Sequence, residues 1–323
     1  MTPKDKIYNP TIDFIRLISI LAVIMIHTST KTLAASGNNL AGFPISLVLN
    51  QLSRFAVPLF FLISGFVLEL NYSFQPNYFS YLKKRFNRIL IPYLFWSLIY
   101  YFIVYTYHSE NIFKVLVDGT ASYQLYFIPS LIIFYLIFPL FHRLKYSKLI
   151  LIFLGIIQII ILSLDYYFHL INLPYPISVA LFNYFAFILG VVYSRNPPKL
   201  KYFVLTILAA AYVVYEGYNR FYQTGNYLSF YSQWRPSVLI YTVSLFLVFY
   251  NQKINHPLIQ ILSKLSFFVF FIHIIILEFT WSFVSRFYFF SGFDLLFFSL
   301  VTVISFSLAY LVHHIPKLSQ LTG

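Results

Sequence analysis

The chain has 323 residues, of which 60 % are apolar and only 10 % charged, with 39 Phe and 29 Tyr. Soluble domains carry about 25 % charged residues, so this composition excludes one and predicts a polytopic membrane protein. The absence of cysteine excludes disulfides, thiolate catalysis and cysteine-ligated metal. The net charge of +13 is compatible with nucleic-acid binding or with a topology signal, and the placement of the charges decides.

Ten apolar windows follow one another, at 12–33, 47–70, 89–107, 124–141, 149–168, 176–194, 200–217, 236–250, 265–284 and 295–312. Each approaches the ~20 residues that cross ~30 Å of hydrocarbon as a helix. No gap between them has room for a soluble domain. The prediction is an all-α, polytopic membrane bundle of about ten transmembrane helices, with 1–323 forming one integral-membrane domain. Alternate connections differ sharply in charge: those on one side hold fifteen of the 22 basic residues, including Lys4, Lys6, Lys83, Lys84, Arg85, Arg88, Lys199, Lys201 and Lys317. The opposite side carries Glu110, Asp118, Asp165, Glu216 and Asp294 among fewer cations. By the positive-inside rule both termini are cytoplasmic. The basic excess then needs no nucleic-acid partner.

The first span runs from Asp13-Phe-Ile-Arg16 to Ile26-His27-Thr28. Arg16 and His27 are eleven residues apart, which on a helix is roughly 20° of net azimuth and ~16 Å of rise. Both therefore line one track, the cation near the surface and the imidazole deep. Ionisable groups within hydrocarbon cost about 2.5–3.5 kcal/mol each and usually face a bundle interior or watery cavity. A competing reading takes the basic start, the apolar run and Ala34-Ala35-Ser36 as a cleavable secretory signal.

The second span holds Arg54, then Pro58, which tends to kink a helix, and Ser64-Gly65, which permits close helix approach. Plain packing, a snorkelling Arg54 and a surface-paired Glu69 are the structural readings here. Lys83-Lys84-Arg85-Phe-Asn-Arg88, read as a loop, suits either a phosphorylated cytoplasmic ligand, which arginine grips in forked contacts, or anionic lipid headgroups. Tyr123-Gln-Leu-Tyr126-Phe-Ile-Pro129 reads as an external loop re-entering the membrane, either closing a cavity or forming an interfacial belt. Spans five to eight carry scattered packing and interfacial residues. The ninth places His273 at depth, as a structural or a chemical histidine, with Glu278 and Trp281 beyond it. His313-His314 lack the spacing with acids that a metal site needs, and no metal is expected.

Taken together, Asp13-Phe-Ile-Arg16 with ten residues before His27, Phe60-Phe61-Leu-Ile-Ser64-Gly65-Phe66, Arg85 and Arg88 leading to Ile-Pro92-Tyr93, Tyr123-Gln-Leu-Tyr126-Phe-Ile-Pro129, and Ser266 with Ile272-His273 resemble the acyltransferase family 3 membrane proteins. These are bacterial surface-polysaccharide O-acyltransferases of the plasma membrane. The resemblance implies that Arg16 and His27 are the functional pair, Arg85 and Arg88 the cytoplasmic basic motif and His273 the late histidine. Two departures stand out. Gln124 and Tyr126 occupy positions where the family commonly has histidine and tryptophan, and no hydrolase-like domain follows the tenth span.

The expectation that follows is acyl transfer from cytoplasmic acetyl-CoA to a hydroxyl of a cell-surface polysaccharide or its lipid-linked precursor, with polysaccharide-assembly proteins as possible partners. His27, with an ordinary pKa of about 6.5, would act as general base or receive the acyl group transiently. Arg16, Arg85 and Arg88 would hold the phosphates of coenzyme A. Asp13, Ser64, Tyr126, His273 and Glu278 are further candidates, the last two for orienting the imidazole. The alternative is a flippase or exporter of a polyprenyl-linked sugar, whose path the same buried Arg and His would line; a membrane sensor without chemistry is a third reading.

Overall fold

The computed structural model describes residues 9–36, 45–72, 77–105, 111–196, 202–224, 232–252, 254–290 and 292–315. Lys4, Lys6, Glu110, Lys199, Lys201, Lys253 and Lys317, all charges used in the topology reading, lie outside them. Among the described residues there are twelve α-helices and no strand. They are α1 (Pro10–Ser36), α2 (Ile45–Leu52), α3 (Ala56–Tyr72), α4 (Tyr78–Ile99, prolonged by a π-helical turn Tyr100–Val104), α5 (Ile112–Asp118) and α6 (Phe127–Arg143). Then follow α7 (Lys148–Phe168), α8 (Tyr175–Arg195), α9 (Phe203–Thr224), α10 (Pro236–Tyr250), α11 (Pro257–Val284) and α12 (Phe293–His313).

Among the described residues seven segments are long and apolar enough to cross a membrane: α1, α2 with α3, α4 with its π turn, α7, α8, α11 with the following turn, and α12. Helices α6 and α10 are apolar but shorter, and α9 is full length but carries Glu216 and Arg220. Among the described residues, nine of the ten apolar windows fall on one helix each and the window 47–70 falls on two. The predicted all-α membrane bundle is what the chain forms.

Two local expectations are corrected. The window 47–70 is not one kinked helix, because residues 53–55 form a turn between α2 and α3. Proline has no N–H, so Pro58 cannot return a bond to the Arg54 carbonyl four residues back. The helix breaks there and restarts at Ala56, with Pro58 in its first turn, where a missing donor costs little. Lys83 to Arg88 is no loop: Asn77 caps α4 by accepting from the Ser80 N–H at 2.8 Å, and the basic residues ride on that helix. Ala34-Ala35-Ser36, the candidate cleavage triplet, is the last turn of α1.

The chain divides into two compact units, one made of Pro10–Leu59 with Leu200–Pro316 and the other built on Phe60–Lys199. In the first, α1 is the central helix and packs on α2, α10, α11 and α12, while α9 lies on α2 and α10. Its 27 residues span ~40 Å, and Ile15, Ile20 and Ile24 are wholly enclosed. In the second, α8 packs on α5, α6 and α7, and α4 lies on α6. Helices α3 and α8 touch backbone to backbone: a Cβ on Gly65 would sit 2.2 Å from the Phe187 carbonyl oxygen, and one on Gly190 would sit 1.9 Å from that of Leu62. The Ser64-Gly65 signal for close approach is explained by this contact. Phe187 also stacks on Phe134 with centroids 4.4 Å apart.

Elsewhere the bundle leaves apolar rows uncovered. Leu149, Phe153, Ile156, Ile160 and Leu164 on α7 and Ile91, Leu94, Phe95 and Leu98 on α4 recur at helical spacing and are exposed. In water such stripes would drive aggregation; in a bilayer they meet acyl chains, and the helices satisfy their own backbone groups.

Candidate functional site

Arg16 and His27, singled out in the sequence, both meet α11, and so does Lys31. Arg16 pairs with Ser263, His27 with His273 and Lys31 with Glu278. The chain offset is 247 at both the first and the last of these pairs, so the two helices run parallel with matched register. One seam therefore carries a cation at one end, two imidazoles in its middle and an ion pair at the other end. The shared azimuth of Arg16 and His27 is the geometric reason.

At the first end, Arg16 Nη1 donates to Asp13 Oδ1 at 2.9 Å and to Ser263 Oγ at 3.1 Å, and Ser263 Oγ donates to Asp13 Oδ1 at 2.9 Å. Asp13 is nearly enclosed, whereas the Arg16 side chain stays 32 % exposed. The guanidinium is tethered by one carboxylate and still reachable. A five-donor fork held this way suits a second anion.

In the middle, the His27 and His273 rings lie 5.3 Å apart with planes inclined by 45°. His273 is fully buried and its Nδ1 lies 3.1 Å from the Val269 carbonyl oxygen. A carbonyl only accepts, so geometry assigns the proton to Nδ1. The buried Nε2 is then a bare lone pair with no hydrogen-bond partner among the described residues. His27 is half-buried, with the His273 ring beside it and the buried Arg54 guanidinium within electrostatic range.

Beside the seam lies a polar hub missed in the sequence. Asn50 on α2 donates through Nδ2 to the Ile26 carbonyl at 3.2 Å, to Ser29 Oγ at 3.1 Å and to Thr30 Oγ1 at 2.9 Å. Its Oδ1 accepts from Arg54 Nε at 2.9 Å and from Arg54 Nη2. Gln51 extends the hub by donating to Asn50 Oδ1 at 3.3 Å and accepting from Arg235 Nη2 at 2.5 Å. Arg235 in turn lies 3.3 Å from Glu216, which also accepts from Ser237 Oγ. Arg54 does not snorkel: like Arg235, it is buried. The hub thus grips α1 at the carbonyl next to His27. The signal available was three polar residues, Asn50, Gln51 and Arg54, within an apolar window, which is costly unless they are partnered.

At the far end, Lys31 Nζ bonds both Glu278 oxygens, at 2.7 and 2.9 Å. Glu278 therefore serves Lys31, and among the described residues it makes no hydrogen bond to either imidazole.

Ser64, Arg85, Arg88 and Tyr126 belong to the second unit. Ser64 is half-buried beside the α3–α8 contact. Arg85 lies over the Tyr81 ring at 6.0 Å, while Lys83, Lys84 and Arg88 are exposed. Tyr126 precedes α6 and packs edge-on against Tyr175 at 5.3 Å. Glu69 is not the surface acid that was expected. Its side chain is 9 % exposed, accepts from Arg195 Nε at 2.9 Å and lies 3.0 Å from His142 Nδ1. Arg195 goes on to the carbonyls of His142 and Leu144, so this one network ties α3, α6 and α8 together. Nearby Tyr146, in the link before α7, has its phenol pushed up to about 12 by burial, an effect that Arg195 opposes. Among the described residues no three His, Asp or Glu side chains gather where they could hold a metal ion.

The chain is similar to a Staphylococcus aureus (strain Mu50 / ATCC 700699) protein named "Probable poly-beta-1,6-N-acetyl-D-glucosamine export protein", at 27 % identity over 296 residues that cover 82 % of this chain and 81 % of that one. No solved structure matches it. The family model described as an acyltransferase domain matches residues 9–314, from just before α1 to just past α12 and thus across the whole Arg16–His27–His273 seam. On that match this multi-pass membrane protein of the bacterial cell belongs to acyltransferase family 3.

Proposed function

We propose that the protein moves an acyl group, acetyl in the first instance, from cytoplasmic acyl-CoA to a hydroxyl of a cell-surface polysaccharide or its lipid-linked precursor. The observation that carries this reading is the parallel α1–α11 seam, with a reachable arginine at one end and a pair of imidazoles ~16 Å further in. That separation suits a coenzyme A whose phosphates rest at Arg16 and whose extended pantetheine arm brings the thioester to His27. Arg85 and Arg88 are proposed as further donor-binding residues on the strength of their charge and their match to the family's basic motif alone.

In the transfer step, a His27 ring nitrogen takes the proton of the sugar hydroxyl as its oxygen attacks the thioester carbonyl. The carbon–sulfur bond then breaks, and the departing thiolate receives that proton. The role of His273 is to hold the His27 ring in the seam, its own orientation being fixed by the bond to Val269. A two-step variant, in which His27 carries the acyl group transiently, uses the same residues. On this reading residues 1–323 make up a single integral-membrane acyltransferase domain with both termini cytoplasmic.

The test uses purified protein in vesicles with labelled acetyl-CoA and a lipid-linked sugar. His27→Ala should abolish label transfer, and unchanged transfer removes His27 from the mechanism. The second reading, an exporter of polyprenyl-linked sugar, is favoured by the name of the S. aureus relative. Sugar movement without acyl consumption would select it.

A further inference from the structure

We propose that the end of the α1–α11 seam beyond the histidines is a carbohydrate subsite, formed by the Trp281 indole with the carboxylates of Glu278 and Asp294. The inference rests on the acyl-transfer reading for its purpose, because an acceptor hydroxyl must reach His27 from a direction that the donor does not occupy. Arg16 marks the donor's end. Lys31 is one helical turn past His27, ~6 Å along the axis, and Glu278 is five residues past His273.

The chemistry of that end fits a neutral polyhydroxy ligand. Trp281 is held edge-on by Phe293 at 6.0 Å and lies 5.4 Å from Phe297, which fixes the plane of the indole. Lys31 Nζ lies 5.9 Å from its centre. A rigid aromatic platform beside convergent polar groups is the usual composition of a small-molecule site. The Lys31–Glu278 pair leaves 31 % and 35 % of the two side chains exposed, so solvent and ligand reach it. Asp294 follows Phe293 in the chain, is 91 % buried and accepts from Ser46 Oγ at 2.7 Å through Oδ2, with the Thr32 hydroxyl also at its carboxylate. Thr280 Oγ1, next to Trp281 in the chain, is buried without a hydrogen-bond partner among the described residues. A buried polar oxygen left unbonded is costly, and a sugar hydroxyl is a partner that Thr280 lacks. Two carboxylates against one ammonium leave this end net negative, which disfavours phosphates and anionic headgroups and keeps it distinct from the Arg16 end.

The experiment measures equilibrium binding of a labelled β-1,6-linked N-acetylglucosamine oligosaccharide, the sugar in the relative's name, to the full chain in detergent micelles. Saturable binding is expected for the unmodified protein, about tenfold weaker for Glu278→Gln and for Trp281→Ala. Lys31→Met breaks the same ion pair but spares both carboxylates, and should stay within about threefold. Absence of saturable binding, wild-type affinity in Glu278→Gln, or an equal loss in Lys31→Met would overturn the subsite, the last by showing the pair to be structural. Acetyl-CoA binding is measured in parallel. If the donor binds and the sugar results fail, the subsite alone falls; if sugar binds as expected and acyl groups are never consumed, the acyl-transfer reading falls and the subsite stands.

Discussion

Asn50 offers the sharpest test of the buried hub. Replacing it with leucine keeps the size of the side chain but removes the acceptor of the Arg54 guanidinium and the donor to the Ile26 carbonyl, Ser29 and Thr30. A buried neutral group left unbonded costs about 1–3 kcal/mol, and a buried charge stripped of its partner costs about 3–5 kcal/mol. The leucine variant should thus lose about 4–6 kcal/mol, since Arg54 keeps some other contacts. Asn50→Asp keeps an acceptor for Arg54 and loses only the donor, so it should lose about 2 kcal/mol. Thermal unfolding in detergent, followed by circular dichroism, reads the order wild type, aspartate, leucine. Acyl transfer should follow the same order, because Ile26 adjoins His27. Equal midpoints for the two variants, or a leucine variant indistinguishable from wild type, would mean that the hub does not carry the load assigned to it.

Gly190→Ala should destabilise the protein by at least ~2 kcal/mol, since the added Cβ overlaps the Leu62 carbonyl and neither helix backbone can yield cheaply; an unchanged unfolding midpoint would refute the close α3–α8 packing. Arg85→Ala and Arg88→Ala should each weaken coenzyme A binding by about tenfold with the fold retained, as expected for one charge-assisted phosphate contact, and calorimetric titration giving equal affinities would end their assignment. Tyr146 has its phenol pushed up to about 12, above the unfolded value of about 10. Its contribution is therefore complete below pH 10 and is lost as pH rises through 12. Tyr146→Phe should unfold at a higher pH than wild type in an alkaline titration, and an identical profile would refute the linkage.

How far the molecule was legible in its sequence depended on the range of the interaction. The apolar windows announced the helices because hydrocarbon thickness sets a length that composition reveals. Arg16 and His27 stood out because an ionisable side chain in an apolar run has few explanations, and their common azimuth follows from helical geometry alone. What they face was not legible: the register that brings His273 to His27 and Glu278 to Lys31 spans some 247 positions of chain and is fixed by packing. The Asn50 hub was missed because an unbroken apolar window read as one helix. The cue was Pro58, whose missing donor acts four residues upstream, at Arg54. Lys83 to Arg88 read as a loop by charge, yet Asn77 supplied an N-cap and nothing within the segment opposes a helix. Glu69 read as a surface acid because its partners, His142 and Arg195, come from two later helices.

The most direct trial of the account is a single-turnover measurement with the protein in sealed vesicles, labelled acetyl-CoA on the side of the Arg16 end and a lipid-linked N-acetylglucosamine acceptor in the bilayer. Label should pass to the sugar in wild type and fall at least ~100-fold in His27→Ala, while coenzyme A binding is retained. Transfer at the wild-type rate by His27→Ala, or sugar crossing the bilayer with the label left on coenzyme A, would contradict it.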